Sequence, residues 1–393
     1  MKTLDNFDVA GKRVLVRLDL NSPVDDGIVQ MSARIKQHAK TIRELSDNRA
    51  KVVILAHQGR KGEEEYVESL YQHSQLLEKE VGKEIKYIDY LFGSEVIKAI
   101  KELKEEEILL LKNTRSWDPE TENLTAKQHA KGALVEVLKD HFDLFVQDAL
   151  SVCHRSHASV TGFAYVLPSC AGRVLEKELK ALEKVTQNIE RPFVLVLGGS
   201  KPSDYTDLIN KYLGEDCVDS ILGCGLFGQV CLIAKGVDLG KQQEFLEAKG
   251  AMECIFDIKK IVDKITVPLD VAVKKKDKRK ELKIEKLPSE YEMFDIGSKT
   301  IGQYCKILGK AKTIFLKGTP GYYLYPEFKK GTLKILKKIG KSKAFTMVSG
   351  GDSSSAVEDF KIKGIDHVSL SGGALLKYLA GKRLPGLEIL ENV

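Results

Sequence analysis

Short runs of valine, leucine and isoleucine recur along the chain and predict buried β-strands. Segments with helical periodicity separate many of them. The predicted strands are 13–18, 51–56, 108–111, 143–146, 193–197, 218–222, 265–267, 313–316, 345–348 and 367–370. The predicted helices in the first part of the chain are 33–45, 67–80, 94–105 and 125–140. Alternating strands and helices favour parallel sheets that are covered by helices on both faces.

The first four predicted strands are followed by arginine and histidine. In doubly wound sheets, ligands bind beyond the carboxyl ends of the strands. Those ends present Arg34, His57, Arg60, Arg115, His154 and Arg155. A solvated structural role would explain any one of these arginines, but their recurrence at successive strand ends favours a site for a small, strongly anionic substrate. Metal binding by the histidines is an alternative that lacks a matching pattern of carboxylates.

The later strands end differently, in glycine-rich turns. The strand at 193–197 runs into Gly198-Gly199-Ser200-Lys201, where glycine allows a tight turn and close approach of backbone N–H groups to a ligand. The turn at 350–353, Gly-Gly-Asp-Ser, offers amides and a hydroxyl to phosphate and a carboxylate to magnesium. One such turn could be purely structural, whereas their repetition predicts a nucleotide site.

The chain of 393 residues is too long for one ordinary core, so two domains are expected. Residues 174–182 form an amphipathic helical pattern at the point where the strand ends change in character. We interpret this segment as a helix that joins the domains, although one more crossover helix would have the same pattern. The predicted fold is therefore α/β, with two doubly wound parallel-sheet domains, a joining helix and a hinge. The predicted limits are 1–171 for the anion-binding domain, 172–188 for the helix and 189–378 for the nucleotide-binding domain.

Composition narrows the class of protein. Apolar residues make up 43% and charged residues 30%, as in ordinary globular proteins, and no apolar run is long enough to span a bilayer. The N-terminus lacks the apolar core of a secretory signal, and the seven cysteines, without a C-x-x-C pair, favour reduced thiols in the cytoplasm. A net charge of +6 suits anionic ligands without indicating nucleic acid. We expect no membrane or nucleic-acid partner.

Three other patterns carry less weight. The hexapeptide 223–228 matches G-x-G-x-x-G, but no second strand with a terminal acid follows about 20 residues later, which disfavours a dehydrogenase. No G-x-x-x-x-G-K-[ST] sequence occurs. The lysine-rich run at 274–286 is interpreted as a solvated surface hairpin or loop rather than a partner-binding patch.

A small anion on one domain and a nucleotide on the other favour phosphoryl transfer as the reaction. Such transfer needs positioning, magnesium and positive charge more than covalent help from the protein. Ligands on separate domains would also require the domains to close and exclude water.

The sequence resembles the phosphoglycerate kinase family over nearly its whole length, and its compact loops resemble the archaeal branch. The matching motifs occur at 17–23 (Arg-Leu-Asp-Leu-Asn-Ser-Pro), 57–60 (His-Gln-Gly-Arg), 148–159, 198–201, 295–297 (Asp-Ile-Gly), 350–353, 371–374 (Ser-Gly-Gly-Ala) and 384–387 (Leu-Pro-Gly-Leu). The resemblance implies a glycolytic enzyme, a phosphotransferase with a carboxyl group as acceptor. It would transfer phosphate reversibly between 1,3-bisphosphoglycerate and ADP, giving 3-phosphoglycerate and ATP with Mg²⁺. It also implies that the tail 379–393 returns to the first domain, and we expect a cytoplasmic monomer.

The resemblance also implies residue roles. Phosphoglycerate would be held by Asp19, Asn21, Arg34, His57, Arg60, Arg115 and Arg155. The transferring group would be contacted by Arg34, Lys201, Gly350 and Gly373. The nucleotide would be held by Gly199, Ser200, Lys201, Gly223, Gly225, Lys317, Gly321, Leu324, Gly350, Gly351, Asp352 and Ser353, and magnesium by Asp352.

Departures from the family pattern are concentrated in the nucleotide half. A second lysine, common in the family four residues after the first, is replaced by Tyr205, and Pro202 lies between them. The acid expected for the ribose is replaced by Leu324, and an asparagine near the phosphates by Lys317. We hypothesise that Lys317 restores the charge lost at Tyr205. These changes leave the nucleotide preference open, and a catalytically weakened homologue with a binding or regulatory role is the alternative.

Overall fold

The computed structural model describes residues 1–391, which divide into two compact units. Unit 1 comprises Met1–Leu179, Gly373–Tyr378 and the segment from Lys382 onward, and unit 2 comprises Lys180–Gly372 and Leu379–Gly381. The division between them falls inside the segment 172–188 that we interpret as the joining helix. The domain limits given above stay predictions, and the last two residues of the predicted tail lie outside the described residues.

The described strands and helices alternate in both units. The strands are β1 Arg13–Arg17, β2 Val24–Asp25, β3 Ile28–Val29, β4 Lys51–Leu55, β5 Ile85–Tyr87, β6 Ile108–Leu110, β7 Leu144–Gln147, β8 Ser169–Ala171, β9 Phe193–Leu197, β10 Ser220–Gly223, β11 Ile265–Thr266, β12 Asp270–Lys275, β13 Lys278–Lys283, β14 Met293–Ile296, β15 Thr313–Lys317, β16 Phe345–Ser349 and β17 His367–Ser369. The α-helices are α1 Ala33–Asp47, α2 Tyr71–Val81, α3 Ser94–Glu102, α4 Ala126–His129, α5 Ala133–Leu138, α6 Phe163–Val166, α7 Arg173–Thr186, α8 Thr206–Gly214, α9 Gly225–Ala234, α10 Lys241–Ala248, α11 Ile255–Ile261, α12 Ser298–Leu308, α13 Lys330–Gly340, α14 Gly351–Asp359, α15 Gly373–Leu379 and α16 Pro385–Glu391.

Unit 1 is built on a six-stranded sheet in the order β5-β6-β4-β1-β7-β8. All its strand pairs are parallel. Successive residues of the central strand, such as Val14, Leu15 and Val16, are all fully buried, because helices cover both faces of the sheet. The chain moves from β1 to one side of the sheet and later crosses to β7 on the other. This reversal places a crevice beyond the carboxyl ends of β1 and β7, where ligands bind in such sheets.

Unit 2 repeats this plan with a parallel sheet in the order β11-β10-β9-β15-β16-β17. The strand order reverses between β9 and β15, which therefore flank the corresponding crevice. The two parallel sheets confirm the α/β fold class predicted from the apolar runs. Each of the ten predicted strands is present, with ends that differ by a few residues.

Some elements were not predicted. The strands β5 and β8 have three residues each, too few to give a periodic signal. The helix predicted at 125–140 is instead two short helices, α4 and α5, with the extended residue Gly132 directly before the second. The sequence pattern there is helical in composition, but the glycine interrupts it.

A third, antiparallel sheet in the order β13-β12-β14 contains the lysine-rich run. The run therefore forms the predicted surface hairpin, and its residues are exposed or half-exposed, but one of them also makes a contact with the interior. Arg279 is only 13% exposed at its side chain, and its Nη1 lies 2.7 Å from Oδ2 of the fully buried Asp295 side chain. The backbone N–H of Gly331 donates to the same carboxylate at 2.7 Å. Burial raises the pKa of Asp295 to about 6, while the charge of Arg279 opposes the rise.

Replacing Arg279 with methionine should therefore destabilise unit 2 in a pH-dependent way. At pH 8 the unpaired buried carboxylate of Asp295 should cost about 3–5 kcal/mol. The cost should shrink near pH 5, because a carboxyl group whose folded-state pKa is raised takes up a proton preferentially in the folded state as the pH falls. Urea unfolding at the two pH values measures this difference. The double variant Arg279→Met/Asp295→Asn should recover most of the loss at pH 8, and an equal loss at both pH values would contradict the explanation.

Candidate active site

The candidate site in unit 1 begins with a pair formed by Asp19 and Arg34. Asp19 follows β1, and Arg34 lies in the first turn of α1, whose start is capped by the Ser32 hydroxyl accepting from the Ile35 N–H at 3.4 Å. The Nε of Arg34 lies 2.8 Å from Oδ2 of Asp19, and its Nη1 donates to the Asn21 carbonyl at 2.9 Å. Burial alone would raise the pKa of Asp19, but the Arg34 charge and a hydrogen bond from Ser151 lower it overall. Asp19 is thus a charged anchor for Arg34.

The loop after β4 joins this pair through Asn21, whose Oδ1 accepts from the backbone N–H of Gly59 at 2.7 Å. In the same loop, His57 is buried, and its Nδ1 lies 3.1 Å from Nη2 of Arg17. Since an arginine only donates, Nδ1 is the acceptor and the ring proton resides on Nε2. Burial, followed by the charges of Arg17 and Arg115, lowers the pKa of His57 well below its usual value. His57 is therefore a neutral imidazole that keeps Nε2–H as a donor.

Three predicted arginines line a cavity of about 320 Å³ in unit 1: Arg60, Arg115 and Arg155. The Nη1 of Arg115 donates to the Gly59 carbonyl at 2.5 Å. Burial lowers the pKa of Arg115 to about 10, and the charges of Arg17, Arg155 and Arg60 add to the effect. A cavity whose walls concentrate like charges is stabilised by a bound anion, since the anion relieves the repulsion.

Unit 1 also contains functional candidates that sequence reasoning missed. Arg17 is 1% exposed, orients His57, and donates from Nε to the Ser159 hydroxyl at 2.8 Å. The carboxylate of Glu120, fully buried, accepts from the Ser159 N–H at 2.9 Å and offsets part of the desolvation of Arg17. An arginine at the last position of a buried strand was the available signal for Arg17, whereas Glu120 lies in a 3₁₀ turn without a distinguishing pattern.

The structure does not bring the predicted histidines His57, His154 and His157 into a cluster of metal-ligating side chains among residues 1–391. His157 lines the arginine cavity, but His154 does not. Burial lowers the pKa of His157 to about 3 and that of His154 to about 4. Across residues 1–391, no group of three or more histidine, cysteine, aspartate or glutamate side chains is arranged to hold a metal ion.

The candidate site in unit 2 lies where the strand order reverses, and two glycine turns press together there. A Cβ added to Gly198 would lie 2.6 Å from the Thr319 carbonyl oxygen, and one on Gly318 would lie 2.4 Å from the Gly198 carbonyl oxygen. The N–H of Gly199 donates to the Thr319 carbonyl at 2.9 Å. Only glycine permits this approach of the loops after β9 and β15, so these glycines shape the base of the crevice.

A cavity of about 480 Å³ opens at this crevice. The predicted nucleotide residues that line it are Gly199, Ser200, Gly225, Gly321 and Asp352. Aromatic side chains surround another part of it, and Phe294 packs against both Tyr322 and Tyr325 with ring centroids 6.1 Å and 5.5 Å away. Backbone amides and a hydroxyl suit the phosphates of a nucleotide, and the aromatic surface suits its base.

Seven of the twelve predicted nucleotide residues do not line this cavity: Lys201, Gly223, Lys317, Leu324, Gly350, Gly351 and Ser353. Leu324 is 63% exposed and lies outside its walls, whereas its neighbours Tyr322 and Tyr325 are part of them. Gly223 ends β10, where an added Cβ would lie 3.3 Å from Cγ2 of Ile265 and 3.4 Å from the Cα of Gly228, so it is packed against the neighbouring strand β11 and the following helix α9.

Four further wall residues, which no sequence pattern indicates, are Gln229, Gln242, Glu292 and Phe294. They come from α9, α10 and the third sheet with its flanking loop, and only the fold assembles them. The Nε2 of Gln242 donates to Oε1 of Gln229 at 2.8 Å, and Oε1 of Gln242 accepts from the Met293 N–H at 2.7 Å. Glu292 places a carboxylate in the cavity wall, whereas Leu324, at the position where the family has an acid, lies outside it.

Lys317 lies beside the turn at 350–353. It is half-buried at the end of β15, and an added Cβ on Gly350 would lie only 3.1 Å from its Nζ. Burial lowers the pKa of Lys317, the charge of Lys201 lowers it further, and Asp204 and Asp352 oppose the change. The structure therefore places Lys317, Lys201 and Asp352 within electrostatic range of one another.

Tyr205, which replaces the family's second lysine, is buried beneath the glycine turns rather than facing a ligand. Its hydroxyl donates to the carbonyl oxygen of Gly198 at 2.6 Å and lies 3.2 Å from that of Lys317. Its ring packs edge-on against Phe227. Tyr205 therefore holds together the two backbones that form the crevice, at Gly198 and at Lys317.

The turn after β16 leads directly into α14. Gly350 has φ of +107°, which favours glycine, and Gly351, Asp352 and Ser353 form the first turn of the helix. The hydroxyl of Ser353 is buried and has no hydrogen-bond partner among the described residues. An added Cβ on Gly351 would contact nothing within 4 Å, and the same holds for Gly373, which begins α15. The open amides at the start of α14 suit an anion.

Two doubly wound units, one with an arginine-lined cavity and the other with a glycine-turn crevice, define an α/β protein for small phosphorylated ligands. The sequence model of the family described as phosphoglycerate kinase matches residues 4–382. The chain belongs to the phosphoglycerate kinase family.

Individual relatives agree with this assignment. The phosphoglycerate kinases of Methanopyrus kandleri and Methanothermobacter thermautotrophicus are 39% and 38% identical to this chain, over 99% and 100% of its length and 97% of theirs. The crystal structure of phosphoglycerate kinase from Pyrococcus horikoshii superposes with a TM-score of 0.95 at 36% identity, covering 100% of this chain and 98% of that one. The structure from Coxiella burnetii gives a TM-score of 0.79 at 31% identity, covering 100% and 99%.

These comparisons confirm the predicted family, its archaeal character and the kinase class of enzyme. They also confirm the predicted glycolytic function, and none of them supports a catalytically weakened homologue. No helix within residues 1–391 is both long and apolar enough to cross a membrane.

Proposed function

We propose that the chain transfers a phosphoryl group reversibly between 1,3-bisphosphoglycerate and ADP, giving 3-phosphoglycerate and ATP. The observation that carries the assignment to these residues is the cavity lined by Arg60, Arg115 and Arg155, in which burial and neighbouring charge depress the pKa of Arg115. A small ligand with both carboxylate and phosphate groups would neutralise this cluster, and guanidinium forks match both groups.

In the proposed complex, the arginine cavity binds the phosphate of phosphoglycerate. His57 donates from Nε2, and Asn21 and Asp19 fix the positions of Gly59 and Arg34. Arg34 stays about one-third exposed, with Nε and Nη1 already held, so its guanidinium is oriented before substrate arrives. A preoriented cation stabilises the charge of the transferring group without reorganisation during the reaction.

The nucleotide is proposed to bind in the unit 2 cavity. Gly199, Ser200, Gly225 and Gly321 lie along it, with Gly350, Gly351 and Ser353 towards the phosphates. Asp352 would hold magnesium, and a single protein carboxylate fits this ion, which is commonly bound by one or two carboxylates together with substrate phosphates. When bound, magnesium neutralises negative charge on those phosphates. Gly350 and Gly373 would offer backbone N–H groups to the transferring group, and Lys201 would follow it.

A coupled assay tests the proposal: 3-phosphoglycerate with ATP and then GTP, in magnesium, with removal of the acyl phosphate product. We expect turnover in the range of ordinary enzymes, from about 1 to 10³ s⁻¹. Comparing ATP with GTP also resolves the nucleotide preference that Leu324 leaves open. Absence of turnover with both nucleotides would overturn the proposal.

Lys317 is proposed to take the place of the second lysine missing at Tyr205. A half-buried ammonium beside Gly350 is stabilised by a phosphate oxygen placed there, so Lys317→Ala should lower kcat by about tenfold to 100-fold. Lys317→Arg should retain more activity than alanine, because it retains the charge. Steady-state kinetics with both substrates saturating measure the effect, and an unchanged kcat in Lys317→Ala would refute the replacement.

We further propose a cytoplasmic monomer in which the two units approach each other during transfer. The scattered cysteines, free in the described residues, support a reducing compartment. The approach of the units follows from placing the two substrates on different units, and it stays a prediction.

A further inference from the structure

A buried series of contacts in unit 1 leads from Arg34 to the first turn of α7. The Nε of Arg34 contacts the Asp19 carboxylate at 2.8 Å, and the backbone N–H of Asp19 donates to Nε2 of His38 at 3.3 Å. On its other side, Nδ1 of His38 lies 2.9 Å from Oδ2 of Asp148. His38 is 2% exposed and Asp148 fully buried, so water does not compete for these contacts.

The contacts of His38 fix the arrangement of its protons. Because the Asp19 N–H donates to Nε2, that nitrogen is the acceptor, and Nδ1 must carry the proton that bonds Asp148. Neither ring nitrogen can exchange its role without placing two donors, or two acceptors, face to face. His38 is therefore a directional link between the backbone of Asp19 and the carboxylate of Asp148.

Asp148 acts as the cap of α7, although it is distant in sequence. Its Oδ1 accepts from the backbone N–H groups of Val174 and Leu175 at 2.8 Å and 3.2 Å. A helix start leaves such N–H groups without intrahelical partners. Gly172, directly before the helix, has no side chain to supply, and a Cβ there would lie 2.3 Å from Oδ1 of Asp148. The position of the first turn of α7 thus depends on the Asp148 carboxylate.

Helix α1 contacts both ends of this series. It carries Arg34 and His38 one turn apart, on the face that meets Asp19. Further along α1, Glu44 pairs with Nη2 of Arg173, the first residue of α7, at 2.6 Å. A small movement of α1 would therefore change the contacts of Glu44 with Arg173 and of His38 with Asp148 at the start of α7.

Helix α7 is the element that passes from one unit to the other. Its first half belongs to unit 1, where Asp148 and Glu44 hold it, and its second half belongs to unit 2. There the Tyr212 hydroxyl donates to the Val185 carbonyl at 2.5 Å. Each half is thus fixed by its own unit.

We propose that His38 is a positioning residue that couples phosphoglycerate binding at Arg34 and Asp19 to α7, and through α7 to nucleotide binding in unit 2. This rests on the proposed function, which places the two ligands on different units. A ligand that binds to the Arg34 guanidinium weakens the contact between Arg34 and the Asp19 carboxylate. The hydrogen bonds from Asp19 to His38 and from His38 to Asp148 then transmit the change to the start of α7. The coupling is a difference in binding free energy and must be reciprocal.

The experiment measures that coupling by calorimetry on the full chain. The dissociation constant of 3-phosphoglycerate is determined alone and with saturating magnesium–ADP, two ligands that cannot react together. The ratio of the two constants should be about fivefold or more in the unaltered protein. In His38→Leu it should fall below about twofold, with each ligand alone binding within about threefold of the unaltered protein. In His38→Gln, whose amide can both donate and accept, most of the ratio should return.

Thr41→Val is the matched control, since Thr41 is a fully buried polar residue of the same helix whose hydroxyl has no partner among the described residues. It should keep the full ratio. If His38→Leu fails to fold, Asp148→Asn replaces it, because the amide keeps the volume but opposes a donor to His38. A ratio near one in the unaltered protein, a full ratio in His38→Leu, or an equal loss in Thr41→Val would each overturn the inference. Failure of the unaltered protein to bind 3-phosphoglycerate would instead contradict the proposed function.

Discussion

Replacing Arg34 with alanine is expected to lower kcat by about 10²–10³-fold, the range for loss of one preoriented donor to a charged transition state. Arg34 is held on one edge by Asp19 and the Asn21 carbonyl, so its guanidinium is oriented before negative charge develops on the transferring phosphoryl group. Steady-state kinetics in both directions measure the loss. The effect should appear mainly in kcat, because the interaction with the transferring group strengthens in the transition state.

Two further variants make the Arg34 result specific. Arg34→Lys keeps the charge but loses the planar fork, so it should recover only part of the rate. Arg43→Ala removes an arginine from the same helix whose Nε donates to the Val81 carbonyl at 2.9 Å, and kcat should stay within about twofold. Near-normal turnover in Arg34→Ala would refute the assigned role.

Replacing Lys201 with alanine is expected to lower kcat by a similar factor, about 10²–10³-fold. Lys201 is exposed in the loop after β9, and its charge reaches Lys317, whose pKa it helps to lower. An exposed, mobile ammonium at the crevice can accompany the phosphoryl group with little cost before substrate arrives. The measurement is single-turnover transfer from ATP to 3-phosphoglycerate, which isolates the chemical step from product release.

The control for Lys201 is Lys235→Ala. Lys235 directly follows α9, and its Nζ lies 3.8 Å from Oδ1 of Asp263. The single-turnover rate of this variant should not change. If Lys201→Ala kept the normal rate while Lys317→Ala lost it, Lys317 rather than Lys201 would be the lysine that stabilises the transferring phosphoryl group. The double variant should lose more than either single one, because both cations are proposed to act on the oxygens of the same phosphoryl group.

The strands and the fold class could be predicted because buried parallel strands consist of uninterrupted runs of apolar residues. Val14 to Val16 and Phe193 to Leu197 are buried on both faces of their sheets, so no polar residue interrupts them. The chemistry at their carboxyl ends was predictable for the same reason, since parallel strands bring their following residues to one edge. The short strands β5 and β8 could not be predicted, because three residues carry no period.

Site residues divide in a similar way. Arg60, Arg115 and Arg155 stand after strands and were recognised, and the structure gathers them around one cavity. Gln242 and Glu292 lie in an α-helix and in a loop before β14, and only the packing of the third sheet brings them to the unit 2 cavity. Conversely, Leu324 was selected by its position in a motif, and it is exposed outside the cavity walls. Motif position specifies a place along the chain, while a cavity wall depends on which way each side chain faces.

By itself, the sequence determined the α/β class, the contrast between arginine-ended and glycine-ended strands, and the phosphoglycerate kinase resemblance. All three depend on local order along the chain, which strand and turn physics converts directly into structure. Tertiary structure alone decided that Tyr205 lies beneath the glycine turns, that Arg279 pairs with the buried Asp295, and that Asp148 caps α7 from 25 residues before Arg173. Each of these is a pairing of polar groups across the fold. The buried groups must find partners, but their sequence positions do not state which ones.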